Sequence, residues 1–238
     1  MESSRPRLAL RAVREDLARW REHGVRAPRW GQRVWVDPLH VQYVYSTFKP
    51  TQHSGAVIAG DWDRTRRPVD ANPIAAAAIR HFVHGETWEE SGALAIHLER
   101  LETLGATGRD VDGCFTPDDV HERLRRLDAL YEQVRKERRL RLRRECSDHT
   151  IREHGGVYVH IARDGRPVFG SRGVHRLVIA QAVGLPRIPA HLGVLHPDAL
   201  ASWREVYVRG QRSQASAPRR GQEATSERQG PEPPNSVE

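Results

Sequence analysis

The sequence predicts an α/β protein in which a mixed sheet is interrupted by a helical insertion, with a helix before it and a disordered tail after it. Three observations carry that reading. Residues 157–196 spell strand, turn, strand, helix and strand in unbroken order. Residues 33–63 are rich in β-branched and aromatic side chains punctuated by Pro38 and Pro50, the composition of short strands and loops. Between the two, residues 73–145 switch to helical periodicity. The segments are therefore 1–32 (N-terminal helix and linker), 33–63 and 151–210 (the two halves of the α/β domain), 64–150 (the insertion) and 211–238 (the tail).

Taken in order, residues 6–23 read as a helix with Leu10, Val13, Leu17 and Trp20 on one face, and Gly24 as its stop. Arg33–Asp37 and Val41–Tyr45 read as short strands, and Ser54–Asp63 as an apolar strand ending in two aspartates. In the insertion, Thr87-Trp-Glu-Glu has the form of a capping box, in which Thr87 caps while Glu90 reaches back. Thr116-Pro-Asp-Asp is a second helix start, with proline at the first helical position and acids in the first turn. Leu94, Leu98 and Leu101, then Leu124, Leu127, Leu130, Tyr131 and Val134, form apolar stripes. In the last unit, Val157, Val159 and Ile161 alternate as in a half-buried strand. Asp164-Gly165 turns the hairpin, Leu177–Val183 is a helix apolar nearly all round, Gly184 ends it, and Arg187–His196 is the final strand. Residues 211–238 have too few apolar groups to offset their ordering entropy.

Composition narrows the function classes. Of 238 residues, 38% are hydrophobic and 29% charged, polar but enough for a core. No stretch is apolar for long enough to cross a bilayer, and Met1–Arg7 lacks a secretory h-region; the expected location is the cytoplasm. Cys114 and Cys146 are far apart and lack metal-knuckle spacing, and the 13 histidines include no His-Glu-x-x-His. Histidines 81, 84, 97, 121, 160, 191 and 196 read as surface or edge residues. The net charge of +7 is carried almost wholly by arginine, whose planar fork suits phosphate oxygens. Residues 135–144, Arg-Lys-Glu-Arg-Arg-Leu-Arg-Leu-Arg-Arg, are the most basic run. They suit either a nucleic-acid backbone or a solvated helix end, where cations favour the dipole.

The sharpest local signal is Gly170-Ser-Arg-Gly-Val-His-Arg, which leads directly into the buried helix. Gly170 and Gly173 permit positive φ and close approach of a ligand. The helix start offers unpaired N–H groups and the positive end of its dipole. Ser171, Arg172, His175 and Arg176 add donors and charge there, an unfavourable placement unless an anion is bound. The alternative is a tight turn with exposed basic side chains. Asp61 and Asp63, two apart in an extended segment, project to one side and could hold Mg²⁺ against phosphates or supply a general base. Their alternative is to cap a turn around a buried Trp62.

Residues 161–190, from Ile161-Ala-Arg-Asp-Gly through Gly170-Ser-Arg-Gly-Val-His-Arg to Gly184-Leu-Pro-Arg-Ile-Pro-Ala, resemble the core of the ParB/sulfiredoxin superfamily. In that core a strand leads into a Gly-x-(His/Arg)-Arg loop, a buried helix and an Ile-Pro strand. The chain also resembles ParB-like proteins that share a Gly-Asp-Trp-Asp element, here Gly60–Asp63. Sulfiredoxins bind ATP phosphates at the loop and ParB proteins bind CTP. The resemblance therefore implies ATP or CTP at Gly170, Ser171, Arg172, Gly173, His175 and Arg176, with phosphoryl transfer or NTP hydrolysis as the chemistry. Val174 occupies the place of the sulfiredoxin cysteine, so sulfinic-acid reduction by that thiol is excluded. No helix-turn-helix pattern follows residue 196, so the resemblance does not extend to chromosome partitioning. The rivals are nucleic-acid binding through residues 135–144 and a regulatory module without catalysis.

Overall fold

The computed structural model describes residues 4–105, 110, 112–147 and 150–209; the tail expected over 211–238 lies outside them. The elements are, in order, α1 (Ser4–His23), β1 (Arg33–Val36), β2 (Tyr43–Val44), α2 (Pro50–His53), β3 (Arg67–Pro68), α3 (Pro73–His84), α4 (Ala93–Gly105), α5 (Pro117–Glu137), α6 (Arg143–Cys146), β4 (Val157–Ile161), β5 (Pro167–Phe169), α7 (Val174–Ala182) and β6 (Ile188–Leu195). The strands form one six-stranded mixed sheet in the order β1-β6-β4-β5-β2-β3. At its centre β4 and β6 run parallel, with Val157 opposite Ala190 and Val159 opposite Leu192, while β4 and β5 form the expected antiparallel hairpin. Residues 54–63, expected to be a strand, contribute only an isolated bridge from Val57 to Leu195 and a single 3₁₀ turn at Trp62–Arg64.

The helix starts follow their capping chemistry. The Asn72 Oδ1 accepts from Ile74 N at 2.9 Å ahead of Pro73. Thr116 and Asp119 form a reciprocal capping box at the start of α5. The Thr87–Glu90 box also forms, but it closes a turn, and α4 begins only at Ala93. The insertion is not an appendage. Ala75, Ala77 and Ala78 of α3, Val120 and Leu124 of α5, and Leu101 of α4 share one core with α7 and with Val34, Val157, Val159 and Ile161 of the sheet. Alanine on α3 has no bulk beyond Cβ, so this helix and α7 can pack closely over that face.

Strand β4 is buried on both faces rather than one. Its second face carries Tyr158 and His160, both fully buried, beneath Phe48 and Trp62, whose rings meet His160 edge-on. Nδ1 of His160 accepts from Val194 N at 2.9 Å. The other nitrogen therefore carries the proton and donates to Tyr45 O at 3.2 Å. Glycine makes the room: a Cβ at Gly193 would lie 2.3 Å from His160 Nδ1, and one at Gly170 would lie 2.4 Å from the Tyr158 ring. His97, His191 and His196 are buried too, which corrects the expectation of surface or edge positions. Each is flanked by apolar residues in sequence, but neither the burial of both sheet faces nor the packing of His97 on His175 was visible in that pattern.

Helix α1 docks by its polar side. Asp16 accepts from Trp30 N and pairs with Arg152, both at 2.6 Å, and Arg19 is buried beside Glu15. No helix among the described residues is long and apolar enough to cross a membrane.

Candidate anion-binding site

The loop after β5 lies alongside the first residues of β4. Gly170 N donates to Tyr158 O at 2.7 Å, and Tyr158 N donates to Arg172 O at 2.9 Å. Between these two bonds Ser171 takes φ +72°, and Gly173 follows at φ +82°. A left-handed Ser costs on the order of 1–3 kcal/mol, and such outliers gather at ligand sites. Gly173 must be glycine for a second reason, since a Cβ there would sit 3.0 Å from Val157 Cα. It caps α7 without a side chain, so the cap residue itself cannot answer the first N–H groups of the helix.

Positive charge crowds this end of the sheet. Arg176 reaches back to donate to Gly155 O at 2.8 Å, and the Arg143 guanidinium lies against the same glycine. Burial lowers the Arg176 pKa, and the neighbouring Arg143 charge lowers it further. Arg143 Nε is buried without a hydrogen-bond partner among the described residues. Glu153, the buried acid of this turn, accepts from Arg143 N at 3.1 Å, but burial pushes its carboxyl up, toward the uncharged form. His154, on the same turn, is held neutral by burial and by the charges of Arg172, Arg143 and Arg11. Glu153 also lines a neighbouring cleft of about 350 Å³, together with Arg29, Arg33, Arg144 and Arg152.

Not every expected site residue belongs here. Gly170, Ser171, Arg172, Gly173 and Arg176 do. His175 does not: its side chain is buried and turns toward the helical layer, where it stacks on His97 at 5.7 Å. Burial, and after it the charge of Arg123, depress its pKa to about 3. It faces away because the second position of α7 lies on the helix side packed against α4.

Asp61 and Asp63 do not belong here either. Both bind Arg163: Asp63 through the backbone N–H and Nε, each contact between 2.9 and 3.1 Å, and Asp61 through Nη2 at 2.7 Å. Burial pushes the Asp63 carboxyl up, but the hydrogen bonds from Arg163 outweigh it and hold the pKa at about 2. A guanidinium therefore stands where the cation was expected, and the pair does not fit Mg²⁺. Among the described residues no group of three or more His, Cys, Asp or Glu could hold a metal ion. Arg163 follows the C-terminal end of β4, whereas the 170–176 loop flanks its start. The five-residue strand, at about 3.3 Å per residue, sets them on the order of 15 Å apart. A site shared by the aspartates and the loop is not formed.

Three of the seven cations in the basic run 135–144 are paired with nearby carboxylates. Arg135 pairs with Glu132, Arg139 with Glu145, and Arg141 with Glu137. Arg138 caps the end of α7 by donating to Val183 O at 2.6 Å. At the end of the run Arg143 lies against Gly155 at the anion site, while Arg144 lines the neighbouring cleft. Arg143 and Glu153 were not singled out in the sequence, because nothing local distinguishes Arg143 from its neighbours. The relevant signal was the pair of glycines at 155 and 156: Gly155 takes φ +85°, and a Cβ at Gly156 would lie 3.0 Å from Glu153 O.

No family model, curated protein or solved structure matches the chain.

Proposed function

We propose that the protein binds the phosphates of a nucleotide, ATP or CTP, at the 170–176 loop, with Arg172, Arg176 and Arg143 as its cationic ligands. One observation carries the reading: several guanidinium groups converge on a helix N-terminus capped by a glycine, beside a carboxyl driven toward its neutral form. Like charges placed there repel one another and the helix dipole, and a bound phosphate relieves both. The strand, hairpin, loop, helix and strand order of β4, β5, α7 and β6 supports kinship with the ParB/sulfiredoxin superfamily, in which this loop receives phosphate. The carboxylates expected to assist phosphoryl transfer are engaged by Arg163 at the other end of β4, so the role assigned to the loop is binding.

Arg172 is exposed, so its replacement tests binding without disturbing the core. Calorimetric titration with ATP and CTP should show Arg172→Ala binding about ten- to a hundredfold more weakly, the equivalent of a charged hydrogen bond worth roughly 1.5–3 kcal/mol. Equal affinity in the two proteins, or none in the wild type, overturns the assignment.

A further inference from the structure

The helix α1 is mounted with its apolar stripe outward. Leu10, Val13, Leu17 and Trp20 are 73%, 66%, 46% and 59% exposed, while Ala12 and Arg19 on the opposite side are buried. The four lie at intervals of three, four and three, the a/d spacing of a coiled-coil seam. Arg7, Arg14 and Arg21 follow at intervals of seven along the free flank of the seam and are exposed as well. The other flank is the one that docks, through Asp16, onto Arg152 and Trp30.

We propose that α1 is one half of a helix–helix interface, and that the other half is an amphipathic helix of a partner protein, apolar along its seam and acidic where it meets Arg7, Arg14 and Arg21. Charge complementarity selects this occupant. A second copy in antiparallel pairing would lay one arginine rail along the other. In parallel pairing the rail would have to meet the flank already docked on the protein. The chain's own residues 211–238 cannot fill the seam, because Val237 is their one aliphatic side chain larger than alanine apart from proline. A lipid surface calls for a broad apolar face, whereas a strict a/d stripe is the narrow seam of paired helices.

The test uses the full chain and two synthetic three-heptad peptides with leucine at a and d, one bearing glutamate and the other lysine at e and g. Fluorescence anisotropy of the labelled peptides should show binding of the acidic peptide, weakened by salt and by at least tenfold in Leu17→Ser. Val83→Ser, an exposed site on α3, should leave it unchanged. Arg14→Glu should shift preference toward the lysine peptide. Equal binding of both peptides, or indifference to Leu17→Ser, overturns the proposal. So does sedimentation of the wild type as a dimer that Leu17→Ser dissociates. Flotation with phosphatidylserine vesicles that Leu17→Ser abolishes would instead assign the stripe to lipid and overturn it equally.

Discussion

Replacing Asp63 by asparagine separates a structural clamp from a metal or catalytic carboxylate. The Asp63 side chain is 4% exposed and Arg163 27% exposed, so the pair is shielded from solvent screening more than a surface ion pair. A folded-state pKa of about 2 against 3.8 for the free carboxyl corresponds to about 2.5 kcal/mol, at 1.36 kcal/mol for each pH unit of displacement. Asparagine keeps the shape but presents an NH₂ to Arg163 donors and leaves a guanidinium without its counter-charge. The expected loss is therefore about 2–3 kcal/mol at pH 7, near the lower end for breaking a buried pair. Urea unfolding followed by circular dichroism measures it. The sign with pH is also set: a depressed carboxyl contributes its stability in full above the unfolded value of 3.8 and loses it as pH falls through about 2. The gap between wild type and Asp63→Asn should accordingly be constant from pH 7 to 5 and narrow below pH 4. A loss under about 0.5 kcal/mol, the range of an ordinary surface substitution, would refute the clamp. Stabilisation of the wild type, but not of the variant, by millimolar Mg²⁺ would show that the carboxylate binds metal after all.

The buried histidines predict an earlier acid response. Burial holds His160 and His175 at about 3 and His97 at about 4. The unfolded chain takes up protons first, and stability should fall steadily as pH drops from 6.5 toward 4. A melting temperature that is flat between pH 7 and 5 contradicts this. Gly193→Ala should cost about 3 kcal/mol or abolish soluble expression, since its Cβ would overlap the His160 and Tyr158 rings, both fully buried. Gly105→Ala, with open space around it, serves as the matched control, and equal melting points for the two variants would disprove the packing argument.

Much of the fold was legible in residue order, and the reason is locality. Hairpin β4–β5, helix α7 and strand β6 are set by turn residues, glycines and apolar periods within a few positions of one another. The cap at Thr116 acts over three residues, and the 170–173 loop is specified by its own glycines. Tertiary structure decided whatever depends on partners distant in the chain. Asp63 became a clamp because Arg163, a hundred residues later, reaches it. The period of α1 revealed an apolar stripe but not its direction, because the stripe's exposure depends on Asp16 engaging Trp30 and Arg152. The histidines sank into the sheet because residues 45–62 cover its second face and Gly170 and Gly193 vacate the volume the rings need. Periodicity records which side of an element is apolar. What that side meets is a matter of long-range packing and charge pairing, and no short window of sequence contains both partners.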